Sequence, residues 1–236
     1  MSDLVSRQNK AEEAYQIIKE KIITFEYLPG TPVTELYLCE QLNMSRTPVK
    51  IAIAKLTSEG FITELGPKKS IIADISVDAF INIYQVREAL DLLSGRSACY
   101  KWQDKSEIDE IRKMLEEQKE VAQMEQVDSR LFLKMDLAFH RKIVDITRNS
   151  LLCKEISYIY DLYWRYNFYS MHVTGVRSTV AEHERILDAI ERRDVTLCTE
   201  QITQHLQTVK EHTLVGIAKG FSPVDMNKAK AGYVFR

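Results

Sequence analysis

The chain has 236 residues, 45% of them hydrophobic and 28% charged, with a formal net charge of −2. That length allows one or two domains, and the composition is that of an ordinary globular protein. No uncharged apolar stretch approaches the roughly 18 residues needed to cross a bilayer, and no charged segment followed by an apolar core marks a secretory leader. Four cysteines (Cys39, Cys99, Cys153 and Cys198) lie far apart without a Cys-x-x-Cys pair, so reduced thiols in a cytoplasmic protein are expected.

In chain order, Ala14, Ile17, Ile18, Ile22 and Phe25 form a helical stripe over residues 11–25. Leu28-Pro29-Gly30-Thr31-Pro32 ends it in a tight turn. Thr34 is expected to cap a short helix to Leu42. Ser45 is expected to cap another to about Glu59, its hydroxyl accepting from a free N–H of the first turn. Pro48 falls in that same turn, where a missing N–H costs little, and Gly60 is a helix stop. Residues 61–65 and 70–74 then read as two strands around Gly66-Pro67-Lys68-Lys69.

Helix, turn, helix and hairpin together predict a DNA reader. Ser45, Arg46, Thr47 and Lys50 sit near the exposed start of the second helix of the pair, the end such proteins present to the major groove. An arginine there can pair bidentately with guanine, and small hydroxyls can reach phosphates or base edges. Bulk attraction to DNA is not the source of affinity. Residues 1–74 hold nine Lys+Arg against ten Asp+Glu, a net of −1. Contacts are therefore expected to be few and placed: Arg46 and Lys50 on one helix face, and Lys68 and Lys69 in the hairpin turn.

The segment Leu42-Asn-Met-Ser-Arg-Thr-Pro-Val-Lys50 resembles the recognition segment of the GntR-type winged helix-turn-helix regulators. Leu28-Pro-Gly-Thr31 and Thr34-Glu-Leu-Tyr-Leu-Cys-Glu-Gln-Leu42 precede it, and Leu56-Thr-Ser-Glu-Gly-Phe-Ile62 follows in the family's order. The resemblance covers roughly residues 10–75. Two positions depart from the family. Asn43 stands at a turn position usually held by glycine, and asparagine tolerates the left-handed conformation required there. Lys50-Ile51-Ala52-Ile53 replaces the usual Arg-Glu-Ala-Leu. Lysine keeps the charge but loses the planar fork, so a base contact at that position becomes a phosphate-type contact.

From Asp74 to about Lys219 only helical patterns appear, with no proline and only Gly95, Gly175 and Gly216 as glycines. Six helices are predicted near 76–102, 104–127, 128–148, 150–172, 177–193 and 195–219, with Ser76, Asp104, Asp128 and Asp194 as caps. The expected fold is mostly α. A winged helix-turn-helix domain (1–74) precedes an all-α bundle of about six helices (75–219), and a tail (220–236) follows.

The bundle carries a polar set on its apolar faces. Asp136 and His140 are four apart and share a face with Phe132, Ile143 and Val144. His183 lies on the stripe of Ile186, Leu187 and Ile190, and His205 lies among Ile202, Leu206 and Val209. Three of the five histidines and one carboxylate thus point inward, and buried ionisable groups are costly unless paired or metal-bound. One divalent metal held by Asp136, His140, His183 and His205 explains the set, the ligand types suiting Zn, Ni or Mn. The competing explanation pairs Asp136 with His140 and leaves His183 and His205 as hydrogen-bonded core residues. Arg87, between Ile83 and Leu90, can grip a carboxylate near the metal or form a bundle salt bridge. In the aromatic segment 158–169, Trp164 or Arg165 is a candidate to line a pocket.

The bundle is similar to the ligand-sensing FCD domain of one large GntR subfamily. Asp-x-x-x-His, a later Glu-His and a histidine on the last helix resemble the metal-binding pattern of many FCD domains. His172 and His212 do not match it. The resemblance implies a homodimeric regulator that reads an inverted-repeat operator in double-stranded DNA and binds a metal and a small carboxylate metabolite. The alternatives are a metalloregulator that senses the metal itself and, less favoured, a metal-dependent hydrolase. No Ser-His-Asp order, glycine-rich phosphate loop or spare general base supports an enzyme.

Overall fold

Ala11, Ala14, Tyr15, Ile18 and Ile22 are buried along one side of helix α1 (Ser2–Ile23), which packs on α3 (Arg46–Ser58). The structure is a computed structural model that describes residues 2–66, 69–170 and 176–220. Helix α1 begins well before the predicted residue 11. The polar run Ser6-Arg7-Gln8-Asn9-Lys10 has no apolar period to announce a helix, yet contains no glycine or proline to stop one.

Helix α2 (Glu35–Leu42) starts where Thr34 Oγ1 accepts from the Tyr37 N–H at 3.2 Å. It ends at Asn43, whose φ of 50° and ψ of 45° are the left-handed values expected of it. Ser45 occupies the N-cap position of α3 with extended backbone, but its hydroxyl makes no capping bond. The expected cap is therefore corrected. Pro48, third residue of the helix, has no N–H to give, and N-cap side chains ordinarily take the N–H of the second or third residue. At the other end, Phe61 N–H donates to Leu56 O (2.9 Å) and Gly60 N–H to Thr57 O (3.1 Å), with Gly60 at φ 78°. This paired closure explains why a glycine terminates α3.

Strands β2 (Ile62–Gly66) and β3 (Lys69–Ile72) pair antiparallel, with Ile62 opposite Ile72 and Glu64 opposite Ser70. A two-residue strand that the sequence did not announce, β1 (Pro32–Val33), pairs with the other side of β3 to give the order β1-β3-β2. Its proline is tolerable because the strand lies at the sheet edge. Lys68, expected in the hairpin turn, lies outside the described residues.

The chain divides into two units, Met1–Ile75 and Ser76–Arg236. In the second, α4 (Val77–Lys101), α5 (Lys105–Gln123), α6 (Ser129–Ile146), α7 (Ser150–Ser170), α8 (Val176–Glu191) and α9 (Val195–Lys219) form the bundle. Ser76, Asp104, Asp128 and Asp194 each accept a backbone N–H of the helix they start. Helix α4 is the hub, packing against α6, α7, α8 and α9. Two glycines permit close approach to α9. A Cβ on Gly95 would fall 2.1 Å from Ile202 Cδ1, and one on Gly216 would fall 2.7 Å from Ser170 Cα of α7. Cys99 and Cys198, 99 positions apart, are buried free thiols that neighbour one another across α4 and α9. No described helix is long and apolar enough to cross a membrane.

Candidate functional site

On α3, Pro48, Val49, Ala52 and Leu56 face inward. The same turns therefore leave Arg46, Thr47 and Lys50 exposed, beside Ser45 at the helix entrance. Ile51, 51% exposed, continues this outer face and was not singled out from the sequence, where an isoleucine reads as core. The lysines of this unit divide into two groups. Lys55 is engaged with Glu12 at 3.1 Å and lies 3.5 Å from the Tyr15 ring centroid. Lys19 is buried against the Tyr15 hydroxyl (2.6 Å) and Glu59 (3.6 Å). Arg46, Lys50 and Lys69 have no ion-pair partner among the described residues, and all three are exposed. These three lie at the helix start and on the hairpin.

In the bundle, α6 supplies Asp136 and His140, α8 supplies His183 and α9 supplies His205. The three imidazoles are buried, and one ring nitrogen of each lies within 4.8 Å of the other two. Their hydrogen-bond partners fix which nitrogens carry lone pairs. His183 Nδ1 faces Gln118 Oε1 at 3.3 Å, and His205 Nδ1 faces Glu182 Oε2 at 2.8 Å. Each oxygen requires an N–H opposite it, so the Nε2 atoms are left as acceptors. Both Nε2 atoms are buried with no hydrogen-bond partner. His140 Nε2 lies 3.3 Å from Arg87 Nη2. Arginine only donates, so this nitrogen also presents a lone pair.

Of the competing explanation, one half is seen, His183 and His205 each being hydrogen-bonded through Nδ1, and the Asp136–His140 pair is not. Asp136 Oδ1 lies 3.5 Å from His183 Nε2, without hydrogen-bond alignment. Two imidazole nitrogens remain buried and unsatisfied, which is expensive in an apolar core. A soft-to-borderline divalent cation is the kind of group this donor set fits, with the outer Nδ1–H bonds orienting the rings. Burial, Arg87 and the neighbouring imidazoles hold His140 well below the ordinary histidine value, and burial with His205 and Arg87 does the same for His183. Neutral imidazole is the ligating form. Burial raises the Asp136 carboxyl, while His205 and Arg87 oppose that rise.

Arg87 is 2% exposed and doubly anchored: Nε donates to Asp91 Oδ2 at 3.0 Å, and the guanidinium carbon lies 3.9 Å from the Tyr163 ring centroid. Tyr160 donates to the other Asp91 oxygen at 2.5 Å. A cavity of about 10 Å³, the scale of a single water, is lined by Asp91, Ser94, His140, Tyr160, Ile202 and His205 among others. Trp164 is not among its lining residues, and its buried indole Nε1 has no hydrogen-bond partner. Sequence reasoning missed Asp91, Gln118 and Tyr160, and met Glu182 only as part of the Glu-His pattern. Asp91 stands four residues after Arg87, and Gln118 interrupts the α5 stripe of Ile111, Leu115 and Ala122, so both left a local signal. Tyr160 left none that distinguishes it from its aromatic neighbours.

Comparison with known proteins bears on both units. A model of the FCD domain matches residues 82–208, and a model of bacterial regulatory proteins of the gntR family matches residues 10–66. The Nta operon transcriptional regulator of Aminobacter aminovorans is 31% identical over 134 residues, which are 57% of this chain and 62%, under two thirds, of that protein. The HTH-type transcriptional repressor RspR of Escherichia coli K12 is 26% identical over 201 residues, 85% of this chain and 87% of that one. Among solved structures, E. coli McbR/YncC superposes with a TM-score of 0.74 at 17% identity, covering 89% of this chain and 98% of its own. At that identity the likeness speaks for the fold.

The depressed values of His140 and His183 set a pH dependence. Above about pH 6.5, the unfolded-state histidine value, both imidazoles are neutral folded or unfolded and their contribution to stability is complete. As pH falls below it, the unfolded chain takes up protons that the folded chain refuses, and stability falls. Asp136, raised by burial, works in the opposite sense where its range overlaps. In protein treated with chelator, unfolding between pH 6.5 and 5 is expected to take up about two protons through these residues. Urea titrations across pH 7.5–5 measure this, and His183→Gln should remove about one proton from the slope. A flat profile would show that the imidazoles are not held neutral.

Proposed function

The chain belongs to the gntR family of bacterial regulatory proteins and carries an FCD domain as its larger part, and we propose that the histidine cluster of that domain is a metal centre through which a small carboxylate adjusts DNA binding. The protein is a DNA-binding transcription regulator. The observation that carries the metal reading is the pair of buried, unpartnered Nε2 atoms of His183 and His205 beside His140. Asp136, next to His183, is the fourth candidate ligand. A bound divalent ion supplies Lewis acidity and open coordination positions that attract an anion. This chain's residues do the rest. Gln118 and Glu182 orient the rings, and Arg87 offers N–H donors to a carboxylate. A metalloregulator responding to the ion alone is the second reading, favoured by a cavity of only about 10 Å³.

On the DNA side, Ser45, Arg46, Thr47 and Lys50 are the proposed groove-facing residues, with Lys69 and Lys68 as phosphate contacts from the hairpin. One such helix reads only a half-site, so a two-fold dimer is proposed. The bundle offers a seat for the second copy: Val86, Leu93 and Tyr100 on α4 recur every seven residues and are 47%, 49% and 72% exposed. A strict heptad of exposed apolar side chains is the pattern of a helix that expects another helix.

Three measurements test this. Arg46→Ala should weaken binding to a specific operator by ~1–3 kcal/mol, the usual worth of a bidentate base contact. Undiminished binding by the folded variant would remove Arg46 from the interface. Leu93→Glu should sediment as a folded monomer at micromolar concentration, and an intact dimer would move the interface off α4. For the metal, a ligand that binds only the folded state contributes about 2.7 kcal/mol at 100 times its dissociation constant. Chelation should thus lower the melting temperature of zinc-loaded wild type and leave His183→Ala unmoved. Equal temperatures with and without chelator, in protein shown to be loaded and then stripped, would reject a metal centre.

A further inference from the structure

His140 Nε2 has one lone pair, and in the structure Arg87 Nη2 sits on it at 3.3 Å. The other two inward nitrogens, His183 Nε2 and His205 Nε2, carry no such partner. A cation held by all three imidazoles needs the same lone pair and cannot share it with a guanidinium N–H. It would also stand beside a fixed positive charge in a buried site, where repulsion is strong. Arg87 and a metal ion are therefore rival claimants of His140.

Release of Nη2 leaves the rest of the arginine in place. Its Nε is bonded to Asp91 Oδ2 at 3.0 Å, Asp91 is held in turn by Tyr160, and the guanidinium lies over the Tyr163 ring. None of these anchors involves His140. The freed end thus stays beside Asp91 and His140, two residues that line the cavity. It then has two N–H groups to offer next to His140, a donor pair that recognises a carboxylate through both charge and hydrogen bonds.

We propose that Arg87 is the coupling residue of this site: it competes with the metal for His140 and, once displaced, becomes the anion-binding group, so that metal and carboxylate bind in order and reinforce one another. The proposal rests on the metal and carboxylate reading above and adds to it an order of binding and the residue that couples the two ligands. Linkage makes the reinforcement reciprocal. A carboxylate that binds Arg87 and the ion must tighten metal binding by the factor by which metal tightens its own.

The test uses full-length protein, zinc as the metal and acetate as the carboxylate, with zinc affinity read by competition against a chromophoric chelator. Arg87→Gln should bind zinc roughly tenfold more tightly than wild type without acetate, having lost a charged hydrogen-bond competitor. Acetate should raise the zinc affinity of wild type and leave that of Arg87→Gln unchanged. Arg87→Lys keeps a cation beside Asp91 but not the forked reach to His140, and it should shift both readings in the same direction by less. It serves if Arg87→Gln does not fold. Weaker or equal zinc binding by the variants, or an equal acetate effect in all three proteins, overturns the coupling role and leaves the metal centre standing. Zinc binding by wild type that His183→Ala leaves unchanged overturns the metal reading itself, and the coupling with it.

Discussion

Three imidazoles, a carboxylate and a guanidinium converge inside an apolar helical bundle, and the cost of burying them organises much of what surrounds them. A charged or hydrogen-bonding group taken from water must find a partner or neutralise. The bundle meets that demand at the outer edge of the cluster. Gln118 of α5 and Glu182 of α8 take the Nδ1 hydrogens of His183 and His205, while Asp91 and two tyrosines hold Arg87. The demand is left unmet at the centre, where two Nε2 atoms face one another's surroundings without a partner. A core selected only for stability would replace such groups with hydrocarbon. Imidazoles bonded on their outer nitrogens and, at His183 and His205, unpartnered on the inner ones are the arrangement that supports the proposed ligand site.

The DNA-reading unit solves a different electrostatic problem. Its charges nearly cancel, so it cannot rely on the long-range pull that basic domains use. Its lysines are sorted instead. Lys19 and Lys55 are spent on Tyr15, Glu59 and Glu12, fastening α1 to α3, whereas Arg46, Lys50 and Lys69 stay exposed. Orientation on the duplex then depends on a few placed contacts, which makes two linked half-sites more valuable than one strongly basic surface. Pro48 contributes by rigidity. It removes one of the N–H groups that a cap ordinarily takes, and Ser45 Oγ makes no capping bond.

Most elements were legible because their ends are written locally. Ser76, Asp104, Asp128 and Asp194 name the starts of four bundle helices, and Gly60 and Asn43 name two stops through backbone conformations few residues accept. Strand β1 was not legible, since two residues carry no alternation and owe their pairing to β3 nearly forty positions away. In the site, the three histidines could be read from helical phase alone. Their partners could not: whether Gln118 meets His183, or Asp91 meets Tyr160, depends on how α5, α7 and α8 rotate about α4. Local periodicity says which face is buried and does not say which buried face it meets. Cys99 and Cys198 make the same point. They are scattered thiols in the sequence and neighbours in the bundle.

The size of the cavity constrains how the site can respond. About 10 Å³ admits an ion or a water and no carboxylate metabolite. Its wall includes Ser94 of α4 and Ile202 of α9, and just beside them the two helices are pressed together at Gly95, where even a methyl group would strike Ile202. On the proposed reading, a ligand larger than an ion needs this wall to give, and at Gly95 α4 and α9 leave little slack. Packed helices respond to such insertions by shifting between discrete arrangements rather than deforming smoothly. On the proposed reading, the face of α4 opposite α9's contact carries the apolar heptad that seats a second copy. A displacement begun at Arg87 and His140 would then be felt first at the dimer interface. On that reading one helix, α4, links the ion-sized cavity to the proposed dimer seat without a chain of intermediates.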